Sequence, residues 1–223
     1  MTSSSGGARC LPTYAVVDTS HSMTPYRQLL NDTLGNVYDG LWAKPSVSEF
    51  AHISIISFNT DAHVVLPMSD LGATDALPSL GCGGSTNYGK AFSLIATRID
   101  EDVTALRAQG RKVLRPAVFF ITDGGPQDDA SIWQSEFAKL TAPTWKRRPH
   151  VITFGVGNAD ELVLKKISTK AAFKAKPGLD QQEALIKVLV TLLNTLIASA
   201  KSENLALPAD IEGFNSIPLE FVD

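Results

Sequence analysis

The sequence predicts an α/β fold: a doubly wound, mostly parallel six-stranded sheet with one antiparallel edge strand, flanked by helices in a Rossmann-like arrangement. Three observations predict it. Short runs rich in β-branched residues alternate along the chain with segments of helical periodicity. One run, "AVFFIT" (117–122), is apolar throughout, as a strand covered on both faces must be. Two runs, "HISIISF" (52–58) and "HVVL" (63–66), are separated only by "NTDA", a connection short enough for a hairpin.

The elements follow in order. "TYAVVD" (13–18) opens the sheet, and residues 25–41 show helical spacing at Leu29, Leu30, Leu34, Val37 and Leu41. After the hairpin, a stretch punctuated by proline and glycine (67–87) leads into a helix from Tyr88 to Gln109, closed by Gly110. The strand 117–122 precedes a short helix around Ile132–Leu140. "HVITFGV" (150–156) is the next strand, "DELVLKKIS" a short helix, "AAFKA" (171–175) a weak last strand, and 181–200 a long closing helix. Residues 1–10 read as a flexible N-terminal tail, 11–200 as one domain, and 201–223, with two prolines and little periodicity, as a tail or docking segment.

Composition narrows the function classes. A chain of 223 residues, 44% hydrophobic and 19% charged, can bury a full core. A formal net charge of −3 provides no basic field, so neither nucleic acid nor a membrane is an expected partner. Cys10 and Cys82 lack CxxC spacing, which suits a reducing compartment and points to a cytoplasmic location. The apolar segment 184–200 falls short of the roughly 20 residues a membrane span needs and contains Lys187 and Asn194, so it reads as a packed helix.

In a doubly wound sheet the ligand site lies beyond the carboxyl ends of the strands, where the winding reverses. The first strand ends at Asp18, with Ser20 and Ser22 following; the run 117–122 leads to Asp123; and "GCGGSTNYGKAF" (81–92) carries Thr86 in a glycine-rich loop before a helix. If those two strands are neighbours, two carboxylates and three hydroxyls converge. An all-oxygen donor set suits a hard divalent cation such as Mg²⁺ or Mn²⁺, and neutral hydroxyl ligands leave the ion a net positive charge and an exchangeable position.

Asp18-x-Ser20-x-Ser22, Thr86 in "GGSTNYGKA" and Asp123 in "FFITDGG" resemble the metal-ion-dependent adhesion site of von Willebrand factor A domains, and the resemblance spans residues 11–200. "HISIISFNTDAHVVLPMSDL" and "FFITDGGPQDD" are most similar to bacterial tellurite-resistance Y-type proteins. The resemblance implies that Ser20, Ser22 and Thr86 hold the metal directly, while Asp18 and Asp123 act through bound waters. It further implies a protein partner that supplies a carboxylate to the metal, a closing helix that shifts with site occupancy, and no intrinsic catalysis. Relatives of the tellurite type are associated with protein kinases and phosphatases in stress-response systems. His21 and Gly125 depart from the family pattern, which favours a small residue at the first position and an acidic one at the second.

Competing readings exist for each piece. Asp18, Ser20 and Ser22 are residue types that cap helices. Asp128 and Asp129 suit a solvated loop or a cap for the helix near Ser131. "GSTNYGKA" nearly matches the phosphate-binding loop of nucleotide hydrolases, with Lys90 and Asp123 as its lysine and magnesium aspartate. Ala91 stands where that loop needs a hydroxyl, and "LPSLGCG" before it is no strand. A haloacid-dehalogenase-type phosphatase would need a carboxylate where Ser20 stands.

Overall fold

Side chains alternate across the pleat of the central strands, and both faces of those strands are apolar, so the sheet is covered on both sides. The computed structural model describes residues 7–69 and 79–219. In chain order the elements are β1 (Arg9–Asp18), a 3-10 turn (His21–Tyr26), α1 (Arg27–Trp42), α2 (Pro45–Phe50), β2 (Ala51–Phe58), β3 (Ala62–Ser69), α3 (Tyr88–Ala108) and β4 (Lys112–Val113). Then come β5 (Ala117–Thr122), α4 (Ala130–Thr141), β6 (His150–Gly155), α5 (Glu161–Lys166), β7 (Ala171–Ala175), α6 (Gln181–Ser202) and β8 (Phe214–Ser216).

The sheet runs β3-β2-β1-β5-β6-β7-β8, with two-residue β4 paired to the start of β1. β1 lies parallel to β2 on one side and to β5 on the other, with Asp18 opposite Phe58 and Val17 opposite Ile121. The chain leaves β1 toward β2 and later returns to β1's other flank as β5. Winding therefore reverses between β1 and β5, and their carboxyl ends open the crevice where such folds bind ligands.

Alternate residues feed different cores. Ala15, Val17, Phe119 and Ile121 face α1 and α6, whose Leu30, Leu34, Leu185, Val188 and Leu192 complete one layer. Tyr14, Val16, Val118 and Phe120 face the other way, onto Tyr88, Phe92 and Ile95 of α3 and Trp133 of α4. Phe120 is fully buried, stacked 4.8 Å from Phe58 and packed edge-on 5.0 Å from Tyr88.

The mostly parallel, doubly wound sheet agrees with the sequence expectation, and the structure adds strands to it. Among the described residues eight strands form instead of six, with antiparallel pairing at both edges, β2 with β3 and β7 with β8. β8 comes from the segment read as a tail or docking segment: Ile211, Phe214 and Ile217 are buried there, and their burial selects a pairing that "FNS" has no strand pattern to announce. α2 also escapes periodicity, being only six residues long. α6 reaches 22 residues and by length and composition could cross a membrane, yet Leu185, Val188, Leu189 and Leu196 are fully buried in the domain's core. Of the expected N-terminal tail, residues 1–6 lie outside the described residues, while Arg9 and Cys10 already belong to β1. Residues 70–78 of the loop before α3 and 220–223 of the C-terminal segment also lie outside the described residues.

Candidate metal centre

Asp18 ends β1 fully buried, and Asp123 follows β5 at 5% exposure. Backbone pairing of β1 with β5 brings these two carboxylates to one crevice. Asp18 Oδ1 accepts the Ser20 amide at 2.9 Å, which turns the chain sharply out of the strand. Asp18 Oδ2 accepts the Thr122 hydroxyl at 2.7 Å. The Ser20 and Ser22 hydroxyls lie 3.1 Å apart, and Ser22 Oγ donates to Asp123 Oδ1 at 2.9 Å. The other Asp123 oxygen accepts the Gln181 side-chain amide at 3.2 Å, from the first residue of α6.

The capping reading of these residues does not hold. Ser20 precedes the 3-10 turn without a side-chain cap bond, and α1 begins after Tyr26, also without one. Pro25 sits inside the 3-10 turn, and α1 starts only two residues beyond it. The oxygen-bearing side chains point into the crevice instead.

Thr86, 5% exposed, reaches the same edge on the loop before α3. Two backbone bonds tie that loop to the β1 exit: Gly83 N–H to Thr19 O at 2.8 Å and His21 N–H to Gly84 O at 3.0 Å. Gly84 adopts φ +79°, and a Cβ there would lie 2.5 Å from Thr60 Oγ1 on the β2–β3 turn, so glycine lets this loop pack against that turn. On the far side Gln127 clamps Thr86 from both directions, its side-chain oxygen accepting the Thr86 amide and its own amide donating to Thr86 O. His21 is exposed beside the site.

Neither carboxylate has a cationic partner in its hydrogen bonds; hydroxyls and amides alone surround them. Burial pushes Asp18 up to about 6 despite its bonds to Ser20 and Thr122, and the charge of Asp123 adds to the rise. Among the described residues, no group of three or more His, Cys, Asp or Glu side chains gathers for a metal. The donor set here is built differently, from hydroxyls and two carboxylates. It fits a hard cation: neighbouring ligands of an octahedral Mg²⁺ stand about 3.0 Å apart, and the Ser20 and Ser22 hydroxyls lie 3.1 Å apart, with Asp123 hydrogen-bonded behind Ser22.

Several supporting residues carry no sequence signal. Thr122 and Gln181 act across 104 and 58 positions of chain. Tyr88, buried on α3, donates its hydroxyl to Thr122 Oγ1 or to Gly124 O. Asp128 caps α3 rather than α4, accepting the Tyr88 and Gly89 amides at 3.0 and 2.8 Å, while Asp129 caps α4 through Ser131 N–H. Lys90 lies exposed on α3, 3.7 Å from Asp61. Burial pushes the Cys82 thiol up, so it is no ready nucleophile.

A mostly parallel, doubly wound sheet with an Asp-x-Ser-x-Ser exit from its first strand and an aspartate at the neighbouring strand end defines an α/β domain with an oxygen-lined crevice at its switch point. The chain belongs to the von Willebrand factor type A domain family, whose model matches residues 14–186. Comparison with curated protein sequences returns no match. Solved structures share the fold. Proximal thread matrix protein 1 from the mussel byssus, with a zinc-occupied MIDAS motif, is 17% identical with a TM-score of 0.59, covering 86% of this chain and 48% of its own. A von Willebrand factor type A protein from Catenulispora acidiphila is 13% identical at 0.56, over 83% of this chain and 43% of its own. The open pilus adhesin SpaC from Lactobacillus rhamnosus GG is 14% identical at 0.63, over 85% and 30%. The chain thus spans less than half the length of these neighbours.

Proposed function

We propose that this chain is a non-enzymatic, metal-dependent protein-interaction module. Ser20, Ser22 and Thr86 would hold a Mg²⁺ or Mn²⁺ ion, with Asp18 and Asp123 behind them, and the ion would take a carboxylate from a partner protein. One observation carries the reading: two buried carboxylates share a crevice with hydroxyl-bearing residues, and among the described residues no Lys, Arg or His side chain bonds either of them. Buried like charges of this kind are costly unless a counter-ion neutralises them. A bound divalent ion supplies that neutralisation, and its labile position converts a weak carboxylate contact into a strong one. Family membership and the zinc-bearing mussel neighbour support a divalent metal at this motif.

The nucleotide-hydrolase alternative loses its main requirement. The α3 amides that would cradle a phosphate already bond the Asp128 carboxylate, and Lys90 faces Asp61. The similarity to tellurite-resistance Y-type proteins supports a bacterial stress-response setting with a kinase or phosphatase as partner. Two free cysteines, one of them buried, support a cytoplasmic location.

Calorimetric titration of Mg²⁺ and Mn²⁺ tests the site. Wild type binds one ion, and Ser20→Ala/Ser22→Ala loses at least tenfold in affinity; equal affinities in the two proteins would sink the metal reading. Gln181 connects Asp123 to the start of α6, so occupancy of the site is expected to change hydrogen-exchange protection of residues 181–202, and Gln181→Ala to weaken that response. Identical protection with and without metal and partner contradicts the coupling.

A further inference from the structure

We propose that the opposite, amino-terminal edge of the sheet holds a second ligand site, a pocket for a phosphate group formed around Arg115, Arg148 and Lys170. A net charge of −3 conceals a marked separation of charge. "RKVLRP" (111–116), "WKRRPH" (145–150) and "KKISTK" (165–170) contain nine of the chain's 20 lysines and arginines and no acidic residue. They enter β5, β6 and β7. These strands are mutually parallel, so the three segments line one edge of the sheet, the edge away from Asp18 and Asp123.

A cavity of about 330 Å³ opens there, lined by Arg115, Arg148, Lys170, His150, Thr141 and Thr169 together with Pro149, and among the described residues no carboxylate lines it. Its position is fixed by backbone bonds: His150 N–H to Pro116 O at 2.8 Å, and Thr169 and Lys170 N–H to Val151 O, both at 3.1 Å. Arg148 spends one guanidinium nitrogen on Pro143 O at 2.9 Å, which orients the fork and leaves its other donors free to serve a ligand. Arg147, by contrast, turns away to Asp100 and Thr104 on α3.

The cations facing this cavity repel one another. Burial and the charges of Arg115, Lys170 and Arg148 push His150 down to about 4, so its ring is neutral at pH 7. Arg115 is lowered too, by burial and then by Arg148. An oxyanion would relieve this repulsion. Two guanidinium groups and an ammonium around a concave space match a tetrahedral dianion with several acceptor oxygens. A flat nucleic-acid or membrane surface would instead call for cations spread outward. The cavity suits a small phosphate-bearing ligand.

Titration of inorganic phosphate and of glycerol phosphate into the full chain at pH 7 and low salt tests the proposal. Single-site binding is expected, with at least a tenfold loss in Arg115→Ser/Lys170→Ser, two exposed positions, and no change in Ser20→Ala/Ser22→Ala. Tighter binding of the ester marks an organic phosphate as the natural ligand; tighter binding of the free ion marks inorganic phosphate. A second readout does not depend on the variants: the His150 ring resonances, identified by their absence in His150→Gln, move on phosphate addition. Absence of both binding heat and a His150 shift at tens of millimolar phosphate overturns the proposal, as does undiminished binding by the double variant.

Discussion

In the presence of chelator, Asp18→Asn unfolds at a higher temperature than the wild-type protein; with saturating Mg²⁺ the difference narrows or reverses, because only the wild type gains stability from the metal. The sign follows from linkage. Asp18 is fully buried and its carboxyl is raised from 3.8 to about 6, so the folded protein holds this proton more tightly than the unfolded chain does. The stability contributed by Asp18 is therefore greatest below about pH 4, falls as pH rises toward 6, and stays low above it. At about 1.4 kcal/mol per pKa unit, the ionised carboxylate costs the metal-free protein roughly 2–3 kcal/mol at neutral pH. Asparagine removes the charge and keeps the geometry. Its oxygen can accept the Ser20 amide, its NH₂ can donate to Thr122 Oγ1, and the Thr122 hydroxyl can turn to Gly124 O at 3.0 Å.

The same carboxylate must be ionised to serve a cation, so wild-type metal affinity falls about tenfold per pH unit below 6. Asp18→Asn should bind Mg²⁺ at least tenfold more weakly above pH 6, and the gap should close as the wild-type carboxyl protonates below it. Metal binding stabilises the folded state by mass action, which is why the order of melting temperatures depends on Mg²⁺. Chelator-treated Asp18→Asn melting below wild type would show that Asp18 is a stabilising structural group and would remove the electrostatic case for a cation.

The largest stability loss is expected from Phe120→Ala. Phe120 lies on the central strand β5, fully buried and in contact with Phe58, Tyr88 and Phe92. Truncation leaves a cavity among rings that belong to β2 and α3 and cannot all close inward. The cost is about 3–5 kcal/mol, or a fall of roughly 10–15 °C in melting temperature for a domain of this size. Phe120→Leu should lose less than half as much. Denaturant unfolding of both variants measures the difference. A loss under about 1 kcal/mol for Phe120→Ala would mean that α3 settles onto the sheet and fills the space.

Different physical scales explain what the sequence alone could reveal. The central strands were legible because burial on both faces forces continuous apolar runs, as in "AVFFIT". The helices α1, α3 and α6 were legible because one buried face imposes a repeat. Asp18, Ser20 and Ser22 stood out because they fall at alternate positions of one strand exit, and their capping alternative failed only when Ser20 was seen to make no side-chain cap bond. β4, β8 and α2 had too few residues to display any period. Asp128, which suits a solvated loop or a cap for the helix near Ser131, caps α3 instead, and Gln127, with no sequence signal of its own, clamps Thr86.

By itself the sequence determined the order of the longer strands and helices, the two-sided burial of the sheet, and the oxygen donors at each strand end. These are local properties, set by burial patterning and side-chain chemistry along short windows. Only the tertiary structure decided that β5 lies beside β1, that Gln181 reaches Asp123, and that three separate basic segments line one cavity at the far edge. Contacts such as these join residues many positions apart, and the packing of the whole sheet brings them together.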